Sequence, residues 1–132
     1  MLTSNIHAAL MIIGFFILFS GFVTARYMKR KRWWLKAHKA FGVSGASLTM
    51  LGFFIIVFYL LLSGRPYFTL LHGYVGLAII LLAFVMPALG FIQLKIRNIA
   101  GKIRPIHRFF GWIMLVAMFI NIILGMYAAG II

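Results

Sequence analysis

The chain has 132 residues, of which 65% are apolar, and its mean hydropathy is +1.13. It contains no Asp, Glu or Cys, and its 13 Lys and Arg residues give it a formal charge of +13. So apolar a composition excludes a small soluble domain, whose limited core could not bury it, and the absence of Cys excludes disulfides and thiolate-bound metals.

Four apolar stretches predict an all-α integral membrane protein, built as an antiparallel bundle of four transmembrane helices. They cover about residues 6–25, 38–62, 67–94 and 107–132, and each has about the 20 residues that cross the hydrocarbon core. The first stretch carries its positive charge after the apolar run, the reverse of a signal peptide, so we expect it to remain as a span. Pro87 should kink the third span unless neighbouring helices satisfy the freed carbonyl.

The basic residues lie beside the apolar stretches, so they indicate membrane topology rather than nucleic-acid binding. Twelve of them flank the first and third connections: Arg26, Lys29, Arg30, Lys31, Arg32, Lys36, Lys39, Lys95, Arg97, Lys102, Arg104 and Arg108. Only Arg65 lies in the second connection, the turn formed by residues 63–66. Because positively charged loops stay cytoplasmic, both termini are predicted to be extracytoplasmic.

One histidine stands at or near the start of each span. The four are His7, His38, His72 and His107, separated by 31, 34 and 35 residues. Since successive spans alternate in direction, His7 and His72 should lie near the outer surface, and His38 and His107 near the inner one. Two histidines that face each other across a helical bundle are what a six-coordinate b-type haem requires.

Other ligand sets fit the sequence less well. Two histidines without a carboxylate or thiolate make a poor zinc site, because zinc takes four ligands or three and a water. Methionine could replace a histidine as an axial ligand, although it more often fills gaps in a core. The methionines considered for that role are Met11, Met114 and Met118.

Glycines accompany the histidines at helical spacing. Gly42, Gly76 and Gly111 each follow a histidine by four residues, on the same helix face, where they would leave room for a flat macrocycle. Gly90 and Gly125 follow His72 and His107 by 18 residues, or five turns, which predicts a gap for a macrocycle at the opposite level. Small residues are also common at transmembrane helix contacts, and that alternative stays open.

These motifs resemble the four-helix core of the cytochrome b561 family, as found in its DOMON-linked, ferric-reductase-like members. The similarity lies in the first span from His7 to Tyr27, in the third span from Leu71 to Phe91, and in the fourth from His107 to Met126. It covers essentially the whole chain. The resemblance implies one domain, residues 1–132, that holds two haems b, one between His7 and His72 and one between His38 and His107.

The predicted function is electron transfer from a cytoplasmic reductant, through the inner and then the outer haem, to an extracytoplasmic acceptor. The resemblance implies an oxidoreductase with ascorbate or a similar donor and a ferric chelate as acceptor. Without Asp or Glu the chain has no carboxylate proton relay. The alternative is a haem b subunit that oxidises a quinol and passes electrons to an extracytoplasmic protein, and a haem-free structural or transport bundle is a third interpretation.

Several charged and aromatic residues are predicted around the haems. Arg26 and Arg108 should bind haem propionates, Lys36 and Lys39 the anionic reductant, and Arg65 and Tyr67 the outer acceptor; the other charges would fix the topology. The predicted partners are the lipid bilayer, the small reductant inside, a ferric chelate or redox protein outside, and a second copy in a homodimer.

Overall fold

The computed structural model describes residues 2–66 and 70–132, which form four helices. These are α1 (Leu2–Tyr27), α2 (Trp34–Leu62), α3 (Leu71–Lys95) and α4 (Ala100–Ala128). All four are long and apolar enough to cross a membrane, so the predicted transmembrane bundle is confirmed. With 25–29 residues each, they are about 37–44 Å long, and their ends project beyond a hydrocarbon core of ~30 Å.

Two helices begin earlier than the apolar pattern indicates. α2 begins at Trp34 and α4 at Ala100, and both first turns contain cations. Lys and Arg are good helix formers whose charged ends extend into water, so a loss of apolar character does not end the helix. Pro105 lies inside α4, near an exposed end where water can bond the carbonyl that it leaves free. α3 begins at Leu71, and the predicted earlier start lies outside the described residues.

The bundle consists of two antiparallel hairpins, α1–α2 and α3–α4. α1 contacts α4 and α2 contacts α3, whereas in the described residues no Cα atoms of the diagonal pairs α1/α3 and α2/α4 approach within 8 Å. The α1–α2 contact is close because glycines remove side chains from it. A Cβ on Gly14 would lie 2.7 Å from Oγ1 of Thr49, and a Cβ on Gly45 would lie 2.7 Å from Cγ of Leu18.

An apolar cluster fills the middle of the bundle. Its buried members are Leu18, Ala46, Ile79, Ala83, Met86, Met114, Leu115 and Met118. α3 continues through Pro87 beside this cluster, although Pro87 cannot donate to the carbonyl of Ala83. Large apolar side chains also cover the outside, among them Phe16, Phe58 and Leu81, each about 61% exposed. A lipid environment accounts for such a surface, which water would not tolerate.

Glycines end α2 and α4 at the same end of the bundle. Gly64 follows the last turn of α2 with φ 63°, and Gly130 follows α4 with φ 68°, a left-handed conformation that glycine adopts at little cost. The N–H of Arg65 then bonds the oxygen of Leu60 at 3.1 Å, as in a Schellman motif. The predicted turn after the second span is therefore present as the cap of α2.

Candidate functional site

Three of the four histidines are held by a main-chain carbonyl of the other helix in the same hairpin. His7 pairs with Gly52, His38 with Gly21 and His72 with Asn121, at Nδ1–O distances of 2.9, 2.9 and 3.0 Å. A carbonyl oxygen only accepts, so Nδ1 carries the hydrogen in each ring and Nε2 keeps its lone pair. These three imidazoles are thereby oriented to offer Nε2 to a metal.

A 14-residue step relates histidines to acceptor positions on every helix. It joins His7 to Gly21, His38 to Gly52, His72 to Met86 and His107 to Asn121. Fourteen residues are about four turns, or about 21 Å, so each helix presents an imidazole at one level and an acceptor carbonyl at the other. The step makes Met86 the acceptor for His107, but Nδ1 of His107 is buried without a hydrogen bond of acceptable geometry.

The structure brings the histidines together in the two pairs that the sequence predicts. His7 of α1 faces His72 of α3 with ring centroids 6.1 Å apart and planes at 86°. His38 of α2 faces His107 of α4 with centroids 6.2 Å apart and planes at 90°. The second pair lies toward the cation-rich end. After the predicted topology we call it the inner pair, and His7 with His72 the outer pair.

The structure corrects the predicted role of two glycines. A Cβ on Gly125 would lie 2.9 Å from Cε1 of His72, and a Cβ on Gly90 would lie 3.6 Å from Cε1 of His107. The prediction that both glycines leave a gap for a macrocycle is wrong, because an imidazole of the neighbouring helix lies against each of them. These glycines give the ligand ring its place.

The glycines four residues after the histidines lie beside open space. A Cβ on Gly42 or Gly111 would meet no described atom of another residue within 4 Å, apart from chain neighbours and the local helix backbone. At Gly76 it would meet Nδ2 of Asn121 at 3.4 Å. The absence of neighbours at Gly42 and Gly111 agrees with the space that a flat group beside the imidazoles needs.

A comparison with protein families gives one match. The model described as eukaryotic cytochrome b561 matches residues 6–132, nearly the whole chain. The chain belongs to the cytochrome b561 family. Membership makes it a membrane protein that transfers electrons across the bilayer by means of haem b, as the sequence resemblance implied. Comparisons with curated proteins and with solved structures gave no match.

The histidine pairs of this cytochrome b561 protein fit the haem that its family binds. A metal–imidazole bond of about 2 Å and about 1.2 Å from nitrogen to ring centre place the centroids of two trans ligands about 6.3 Å apart. The observed 6.1 and 6.2 Å agree with that separation. No group of three or more His, Cys, Asp or Glu side chains that could hold a metal ion exists among the described residues. A macrocycle with four equatorial nitrogens supplies the ligands that two histidines lack.

The remaining predicted residues of the cytochrome b561 site are exposed. Arg26, Lys36, Lys39 and Arg108 lie at the same end of the bundle as the inner pair, where a solute or a propionate could reach them. Arg65 is exposed at the opposite end, and Tyr67 lies outside the described residues. The methionines considered as ligands pack with the apolar cluster: Met114 and Met118 belong to it, and Met11 contacts its edge.

Asn121 has a role that sequence reasoning missed. Its main-chain oxygen holds His72, while its side chain is 9% exposed and its Oδ1 is buried without a hydrogen-bond partner. A polar residue inside an apolar span is the sequence signal that marks such a position. The other carbonyl acceptors belong to the main chain and leave only the 14-residue step as a signal.

Proposed function

We propose that the chain binds two haems b, one in the outer and one in the inner histidine pair, and that electrons cross the membrane between them. The observation that carries this proposal is the facing geometry of the two pairs, whose ring separations suit two axial ligands on one iron. The free Nε2 atoms of His7, His38 and His72, and the open faces of Gly42 and Gly111, support it independently.

The chain's residues orient the carriers and exclude water between them. Haem b, when bound, supplies an iron that takes up and releases one electron. The main-chain acceptors fix each ring through Nδ1 and strengthen Nε2 as a ligand. The apolar cluster lies between the two histidine levels, since its members fall within the 14-residue steps of the four helices. No side-chain carboxylate is available to relay a proton through it.

We further propose that electrons enter at the inner pair from an anionic cytoplasmic reductant such as ascorbate. They would leave from the outer pair to an extracytoplasmic acceptor such as a ferric chelate. The twelve cations at one end favour a cytoplasmic position for that end, with both termini outside. Their field also attracts an anionic donor, and Arg26, Lys36, Lys39 and Arg108 are the exposed cations proposed to receive it.

The first experiment counts haem per chain in single His→Ala variants. The unmodified protein should hold two haems. His7→Ala and His72→Ala should each remove one and the same haem, recognised by its midpoint potential, and His38→Ala and His107→Ala should each remove the other. A single haem in the unmodified protein, or loss of the same haem in His7→Ala and His38→Ala, would refute the pairing.

The second experiment tests the donor by stopped-flow reduction with ascorbate. The double variant Arg26→Gln/Arg108→Gln should be reduced at least about tenfold more slowly at low salt, because electrostatic steering of the donor is lost. Raising the ionic strength should slow the unmodified protein toward the variant. Arg65→Gln, at the opposite end, is the matched control and should behave as the unmodified protein. Rapid reduction by a membrane quinol, with no effect of salt or of the double variant, would favour the quinol alternative.

A further inference from the structure

The cation-rich end of the bundle has no negative side chain to neutralise it. Twelve of the 13 basic residues lie there, and the whole chain contains no Asp or Glu. Ion pairs between side chains are therefore excluded by composition. In a folded protein such a charge excess repels itself, and its stability depends on anions from outside the chain.

Four of the twelve cations already have a proposed role toward a propionate or the reductant, which leaves eight. Half of these form the continuous run at residues 29–32, which connects α1 to α2 and is exposed throughout. The other half lie at residues 95–104, around the connection from α3 to α4, and are exposed as well. The surplus charge is therefore spread over both connections rather than gathered around one small pocket.

The same end also presents the N-termini of α2 and α4. Neither helix has an acidic residue in its first turn or a side-chain cap, so the positive ends of both helix dipoles add to the charge of the side chains. Trp33 directly follows the cationic run and is 51% exposed, and Trp34 begins α2. Tryptophans of this kind lie at the headgroup level of a bilayer, which places the run at the depth of the lipid phosphates.

We propose that this end of the bundle is a binding surface for anionic phospholipid headgroups, centred on residues 29–32. A soluble anion could neutralise a few charges at one point. Lipid phosphates surround the bundle at headgroup depth and can reach both connections at once. Each cation near an anionic leaflet strengthens association about fivefold. The proposal concerns lipid binding and holds whether or not electrons pass through the protein.

The test measures lipid selectivity by electron paramagnetic resonance in phosphatidylcholine vesicles. The protein is reconstituted with a trace of spin-labelled phosphatidylglycerol or spin-labelled phosphatidylcholine, and the motionally restricted fraction of each label gives their relative association constants. The unmodified protein should prefer phosphatidylglycerol at least fivefold at low salt. The variant Lys29→Gln/Arg30→Gln/Lys31→Gln/Arg32→Gln should lose most of that preference.

Arg65→Gln removes one cation from the opposite end and serves as the matched control, so it should keep the full preference. High salt should weaken the preference in the unmodified protein. Equal association of both labels with the unmodified protein, or an unchanged preference in the fourfold variant, would overturn the proposal. The measurement does not depend on haem reduction, so its failure would leave the proposed electron transfer standing, and the reverse also holds.

Discussion

The contact between Gly125 and His72 makes the substitution Gly125→Ala a sharp test of the outer pair. The added Cβ would lie 2.9 Å from Cε1 and 3.3 Å from Nδ1 of His72, whereas two carbon atoms require about 3.5 Å or more. The ring would have to move by about 0.6 Å. That movement pulls Nδ1 away from the oxygen of Asn121, now 3.0 Å distant, and turns Nε2 away from its partner across the bundle.

The cost can be worked from these contacts. Overpacking at a buried position costs about 1–3 kcal/mol, and the lost hydrogen bond about 1 kcal/mol. Alanine returns about 0.5–1 kcal/mol because it favours the helix more than glycine does. We therefore expect Gly125→Ala to weaken haem binding at the outer pair by about 10- to 100-fold, the usual effect of disturbing a residue that orients a ligand. Haem retention against a haem-scavenging protein measures this, with the two haems distinguished by redox titration.

Gly90→Ala is the matched control at the inner pair. Its Cβ would lie 3.6 Å from Cε1 of His107, an ordinary van der Waals contact, so the ring need not move. This variant should keep both haems and gain about 0.5–1 kcal/mol of stability from the helix. If Gly125→Ala retained its outer haem with unchanged affinity, or if Gly90→Ala lost the inner one, the steric argument would be refuted.

Three further predictions follow from the site. Gly111→Ala should stabilise the haem-free protein by about 0.5–1 kcal/mol in thermal unfolding but weaken haem binding at the inner pair, since its Cβ has open space only while the cleft is empty; unchanged haem affinity would remove Gly111 from the cleft. Asn121→Leu should raise the stability by about 1 kcal/mol by removing a buried oxygen without a partner, and it should keep the outer haem because the main chain holds His72; loss of that haem would assign the carboxamide itself to the site. The inner haem should titrate at the higher midpoint potential, because cations surround that end and His107 lacks the hydrogen bond that makes a ligand more electron-donating; an inner potential below the outer one would contradict this.

The sequence predicted the membrane fold and the histidine pairs because both follow from long-range periodicity. Apolar runs long enough to span a bilayer fix the number of helices, and alternating direction then places His7 level with His72 and His38 level with His107. The beginnings of α2 and α4 could not be predicted in the same way. Their first turns are charged, and hydropathy marks where a helix enters the membrane rather than where it begins.

The details around the rings were beyond the sequence for a different reason. The acceptors for His7 and His38 are main-chain oxygens of glycines, which exist at every position and leave no chemical signature. Gly125 was recognised by its spacing but assigned to the macrocycle, because spacing gives the face of a helix and not what occupies it. Only the relative rotation of α3 and α4 decides that the ring of His72 lies there.

The hydrogen bonds of the histidines stay within hairpins, whereas the facing pairs join one hairpin to the other. His7 and His38 are oriented by contacts inside α1–α2, and His72 by a contact inside α3–α4. A hairpin is also the natural unit of insertion into a bilayer, because its two helices can enter together and satisfy their polar groups locally. During biogenesis each half can thus arrive with its imidazoles already aimed, and cofactor capture becomes the last step, the one that fastens two prefabricated halves together.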